Sequence, residues 1–155
     1  MQFSHLLAII VVAANGIAAG IMLSTVIGIA PMMLALPYGR YVQTVQFLRP
    51  RFDPVMPIMN GCALVLDIAL AVTIDNSTAD VAYTVAAALL ASVMAVSITK
   101  NVPVNRYVMS LDPQRQPDTW AQLDPRSRWR LWNLVRTAFA LTAFATNVVA
   151  AVQLT

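Results

Sequence analysis

Two short segments carry most of the side chains in this sequence that can do chemistry in an apolar setting. One is Asn101-Val-Pro-Val-Asn105-Arg106; the other is Trp129-Arg-Leu-Trp132-Asn133-Leu-Val-Arg136. Carboxamides, indoles and a guanidinium in one place suit an aromatic or oxyanion-bearing ligand. Arg136 supplies charge, and Asn101, Asn105 and Asn133 supply hydrogen bonds, with Trp132 beside them. Asn15, Asn60, Asp67, Arg136 and Asn147 lie inside long apolar runs, where a polar side chain is costly and is a functional candidate by default. Each also has a structural reading. Arg136 can snorkel to the headgroups, Asp67 can be a neutral acid bonded to a neighbouring helix, and Asn15 and Asn147 can be interhelical ties.

Several chemistries are excluded. His5 and Cys62 are the only histidine and cysteine, too few for a zinc or copper site or for bis-His haem within one chain. No Gly-rich phosphate loop, Ser–His–Asp set or Cys-x-x-Cys is present. No metal and no cofactor is expected.

The elements that must position these residues are four apolar runs, residues 6–30, 54–74, 79–99 and 131–154. Each is about 20 residues or longer, enough to cross a hydrocarbon core of ~30 Å as a helix, and backbone in lipid must satisfy its own hydrogen bonds. The chain is 59% apolar and 11% charged, with mean hydropathy +0.68; soluble domains carry about 25% charge. The expectation is an all-α, four-helix transmembrane bundle forming one domain over residues 1–155. The first run has no basic residue before it and is too long for a signal-peptide core, so it reads as a retained span.

All ten basic residues fall in or beside two of the connections: Arg40, Arg49 and Arg51 in the first, and Lys100, Arg106, Arg115, Arg126, Arg128 and Arg130 in the third, with Arg136 just inside span four. Basic loops stay in the cytoplasm. The expectation is therefore a multi-pass protein of the cell membrane with both termini outside and both long loops cytoplasmic. The net charge of +3 follows from that bias and from contact with membrane lipid, not from nucleic-acid binding.

After Pro37, residues Tyr38, Tyr41, Val42, Val45 and Leu48 make one apolar stripe, predicting a short amphipathic helix at the inner membrane surface between spans one and two. Gly16, Gly20, Ser24 and Gly28 recur every four residues, a face for close packing inside the bundle or for a homo-oligomer. At ~1.5 Å per residue, Arg136 lies about 9 Å from Arg130 and Asn60 about 9 Å from Pro54, so the two are level near the inner face. Asp67 shares a face with Asn60 but lies about 20 Å from Pro54, nearer the outer side.

Asn101-x-Pro103-x-Asn105 after span three and Trp132-Asn133-x-x-Arg136 entering span four resemble the anthrone oxygenase-like family of small four-span membrane proteins. The Gly20 region, the Tyr41–Gln46 segment and the four-span layout fit the same pattern. The resemblance implies oxidation of an activated aromatic carbon by O2, an anthrone becoming an anthraquinone. The substrate would be a lipophilic, flat aromatic molecule whose enolate donates electrons to O2 without a cofactor. Arg136 and the Asn groups would stabilise that enolate. Asn60, Tyr41 and Trp132 would contact the ring system, and Asp67 or Tyr41 would serve as base. The rival reading is a non-catalytic membrane subunit that packs in a larger complex or binds lipid. A third is an enzyme of another class that uses a bound cofactor.

The charge asymmetry yields a topology test. In a Cys62→Ala background, single cysteines placed at Ser4 and Ser77 are expected to react with an impermeant thiol reagent on intact cells, and one at Ser110 only after permeabilisation. Labelling of position 110 alone would invert the orientation.

Overall fold

A computed structural model describes residues 2–154. The elements are α1 (Gln2–Ser24), α2 (Ala30–Ala35), α3 (Tyr38–Phe52), α4 (Val55–Thr73), α5 (Ser77–Val96), α6 (Val102–Met109), α7 (Trp120–Leu123) and α8 (Arg126–Val152). Four helical stretches are long and apolar enough to cross a membrane: Phe3–Ala35, Val55–Thr73, Thr78–Met109 and Trp120–Val152. They form a ring in which α1, α4, α5 and α8 each pack on two antiparallel neighbours.

Small side chains build the interior. Ala18, Ala63, Ala86, Ala140, Ala143 and Ala150 are fully buried, while Phe3, Ile9, Ile27, Val65 and Val72 point outward. Lipid is as apolar as leucine, so the gain comes from close backbone approach, not from hiding large side chains. The α4–α5 turn is closed by Asn76, whose Oδ1 accepts from Thr78 N at 3.1 Å and Ala79 N at 3.2 Å. Asp80 in the first turn of α5 adds negative charge at the positive end of the helix dipole.

Spans one and three do not stop where their apolar runs stop. Each passes through a wide π turn, Thr25–Ile29 or Ser97–Asn101, and continues into a further α segment. Ala30 N–H bonds back five residues to Thr25 O, and Val102 N–H to Ser97 O. The cause is a proline just beyond each turn, Pro31 and Pro103. A proline ring clashes with the carbonyl four residues back and offers it no N–H; here those carbonyls belong to Ile27 and Thr99, inside the π turns. One added residue widens the turn and removes the conflict.

This continuation changes the setting of α3. The helix forms where the apolar stripe predicts it, but Tyr38, Tyr41, Val42 and Val45 are covered by Val104 and Val108 of α6, Trp120 of α7 and Met33 of α2. Its apolar face therefore lies on protein, where the sequence pattern alone suggests a membrane surface. The connections make a folded cap. Tyr38 meets Trp120 edge-on, with ring centroids 4.7 Å apart, and donates to Asp112 O at 2.8 Å. Gln46 Nε2 donates to Leu111 O at 2.9 Å. Arg126, paired with Asp124, donates to Leu36 O at 2.7 Å and Met33 O at 3.3 Å. It thereby takes up carbonyls at the end of span one that have no helical partner. Asp124 Oδ1 also accepts from Arg126 N at 3.0 Å, and α8 starts at Arg126 with Pro125 immediately before it.

The small-residue face of span one divides. Gly16 packs on Phe144, but Gly20 and Gly28 have no neighbouring atom within 4 Å of a would-be Cβ and Ser24 is exposed. Only the first of the four supports packing inside the bundle.

Two glycines test the cap against the open face. A Cβ on Gly39 would lie 2.5 Å from Pro113 O, a backbone atom. Gly39→Ala is expected to cost about 1–3 kcal/mol through forced displacement and to lower the melting temperature of the detergent-purified protein. Gly20→Ala has free space and is expected to melt at or slightly above the parent. Equal melting of both variants would mean that the cap does not depend on the Gly39 approach.

Candidate active site at the cap end of the bundle

Between the four spans and α3 lies a cavity of about 220 Å³. An enclosed cavity of ~150 Å³ takes one benzene ring. This one is larger and opens past Asp53, Pro57 and Ile98, which line it and are exposed. A fused aromatic system can thus lie inside with one edge in the opening. Both π turns contribute to the wall: Thr25 and Ile29 from the first, Ser97, Ile98 and Asn101 from the second. Met22, Met33, Met56 and Met94 supply flexible apolar lining.

Arg136 lines this cavity. Its guanidinium is bonded inside the protein. Nε and Nη2 both donate to Asn133 Oδ1, at 3.1 and 2.6 Å, and Nη1 donates to Ser97 Oγ at 3.1 Å. Those contacts use three of the five N–H groups of an arginine. All the partners are neutral. The one acid in the wall, Asp53, is engaged by Arg49 at 2.6 Å. The supports are themselves fixed. Asn133 Nδ2 donates to Trp129 O at 2.8 Å, Ser97 Oγ donates to Val93 O at 2.7 Å, and Trp129 Nε1 donates to Asn105 Oδ1 at 2.9 Å.

Asn60 and Asn101 add acceptors. Both are buried and line the cavity, and neither Oδ1 has a hydrogen-bond partner. Asn60 and Arg136 both line the cavity, but not at one level as the count along the sequence expects: the Asp67–Asn147 contact sets Asn60 opposite Ala140, about one turn deeper than Arg136. Tyr41 also lines the cavity. Burial, and then the neighbouring Asp124 carboxylate, hold its phenol well above the ordinary value, which favours the neutral, hydrogen-bond-donating form.

Three expected site residues are placed differently. Trp132 is not in the cavity wall; it is half-exposed, with Lys100 Nζ 5.2 Å from its ring centroid. It stands one residue from Asn133 on α8, hence about 100° around the helix. Asn133 is buried behind Arg136 and holds it in place. Asp67 is two turns further along α4 than Asn60 and accepts from Asn147 Nδ2 at 3.3 Å, with no contact to Arg136. Conversely, Ser97 and Trp129 belong to the site. Trp129 opens one of the two segments singled out in the sequence, whereas Ser97 lies in neither. Its only signal in the sequence is Pro103, six residues on. Among the described residues, no three His, Cys, Asp or Glu side chains come together.

The family model described as anthrone oxygenase matches residues 51–146. That stretch holds Asn60, Ser97, Asn101, Asn105, Trp129, Asn133 and Arg136. A search of curated proteins and one of solved structures each gave no match. The match covers well over half of the chain and includes the guanidinium, its supports and both unpartnered carboxamides: this protein belongs to the anthrone oxygenase family.

Proposed function

We propose that the protein is a membrane-embedded oxygenase that converts an anthrone-type aromatic to the corresponding quinone with O2. The observation that carries this reading is the Arg136 guanidinium, which faces an apolar cavity with neutral partners only. A cation held this way is complementary to negative charge that develops on a bound molecule, and low polarity around it strengthens the effect.

The reaction adds O2 and loses water. The ring CH2 opposite the substrate carbonyl loses a proton, and the resulting enolate places its charge on the oxygen that Arg136 faces. Electrons pass from the carbanionic carbon to O2, and a C–O bond forms, giving a hydroperoxide. Loss of the second C–H proton with cleavage of the O–O bond leaves a second carbonyl and one water. Asn60 Oδ1 and Asn101 Oδ1 are free to accept from phenolic hydroxyls beside the carbonyl, and Tyr41 is a donor. The methionine-rich wall suits a flat apolar ring system, and the opening beside Asp53 gives protons a way to water.

A second reading draws on Gly20, Ser24 and Gly28, which face outward, with open space at both glycines, and suit close approach of another helix. Disulfide crosslinking of a Ser24→Cys variant in a Cys62→Ala background tests for a homo-oligomer through that face.

Loss of a charge-assisted contact is worth about 1.5–3 kcal/mol, or roughly ten- to a hundredfold in rate. Arg136→Met is expected to assemble in the membrane and lose that much anthrone oxidation, measured as O2 uptake per unit of protein. Arg136→Lys is expected to recover only part, because the planar fork that bonds Asn133 and Ser97 together is gone. A well-expressed, fully active Arg136→Met would remove the catalytic role. A parent protein inert towards a panel of anthrones would turn the assignment toward a non-catalytic membrane subunit.

A further inference from the structure

The half of the bundle away from the cavity holds a second polar centre. Each of the four spans places one polar side chain in its core there: Asn15 from α1, Asp67 from α4, Tyr83 from α5 and Asn147 from α8, all 0% exposed. Asn147 Nδ2 donates to Asp67 Oδ2 at 3.3 Å, and Tyr83 lies within electrostatic range of Asp67. The register of α1 on α8 is set by Gly16 against Phe144 and by Thr137 Oγ1 donating to Met22 O at 3.4 Å. It puts Asn15 two to three residues from the level of Asn147, about 4 Å at ~1.5 Å per residue. Apolar layers close the centre on both sides, with Val11, Leu70 and Ala150 above and Ala14, Ala63 and Ala143 below.

Its oxygens are unsatisfied. Asp67 Oδ1, Asn15 Oδ1, Asn147 Oδ1 and Tyr83 OH have no hydrogen-bond partner, nor has Asn15 Nδ2. A buried carboxylate without a counter-charge costs several kcal/mol. Arg136 cannot supply that charge, since its guanidinium is bonded to Asn133 and Ser97, and Asn133 lies about 20 Å from Asn147 along α8. A carboxylate excludes an anion, and an all-oxygen set selects a hard cation over a soft one. Calcium takes six to eight oxygens with several carboxylates among them, whereas one carboxylate and three neutral oxygens balance a single positive charge. We propose that Asp67, Asn15, Tyr83 and Asn147 form a buried binding site for one sodium ion that ties the four spans together.

The test is binding of 22Na+ to the detergent-purified protein by scintillation proximity, with melting followed in sodium chloride and in choline chloride at equal ionic strength. The site predicts saturable binding of one ion and a higher melting temperature in sodium. Asp67→Asn is expected to abolish both, and Asn147→Ala and Tyr83→Phe to weaken binding at least tenfold. Arg136→Met, altered only at the cavity, is expected to keep both. If Asp67→Asn fails to fold, the other two variants carry the test. Absence of saturable 22Na+ binding together with identical melting in the two salts overturns the proposal and leaves Asp67 a neutral acid in an interhelical hydrogen-bond layer. Sodium binding unchanged in Asp67→Asn overturns it equally.

Discussion

A proline inside a membrane helix takes a hydrogen bond away from a carbonyl, and hydrocarbon offers nothing in its place. Most of the cap-end architecture follows from how this chain meets that constraint twice at one level. At Pro31 and at Pro103 the turn before the ring widens to a π turn, and the helix goes on. Because it goes on, α2 and α6 extend past the apolar runs and give α3 and α7 something to pack against. The widened turns also stand in the wall of the cavity, so the defect in helical regularity and the room for a ligand are one feature.

Charge is handled in two ways in the same region. Arg49 is paired with Asp53, and Arg126 with Asp124; both pairs are partly exposed and serve the cap. Arg136, deeper in the bundle, is hydrogen-bonded by a carboxamide and a hydroxyl, while the Asp53 carboxylate in the same wall is bonded to Arg49. Neutral acceptors keep the guanidinium oriented without a carboxylate bonded to it. A carboxylate in the place of Asn133 would hold the side chain as firmly and silence it.

Much of this was legible in the sequence. Span positions followed from hydropathy, and counting residues from the basic borders separated Arg136 from Asp67, although the level it gave for Asn60 is about one turn off the Asp67–Asn147 register. A count of that kind works because helical rise is constant. Rotation was harder to read. Period fixes which residues share a face but not what that face meets. Hence Gly20, Ser24 and Gly28, on the small-residue face of span one, point away from the bundle, the α3 stripe is covered by protein, and Trp132 stands outside the site that its neighbour Asn133 supports. Nor does a proline announce that a helix continues past it, since the usual expectation in water is that the helix ends there.

The extra residue at Ser97–Asn101 also acts as a reading-frame shift along the helix. In an unbroken α-helix, positions seven apart share a direction, so Ser97 would be followed on its face by Val104. One inserted residue moves that place to Asn105, eight away. Ser97 and Asn105 are the two that line the cavity, while Val104 faces the cap core. Pro103 thereby decides that a carboxamide, and not a valine, meets the Trp129 indole that stands behind the arginine.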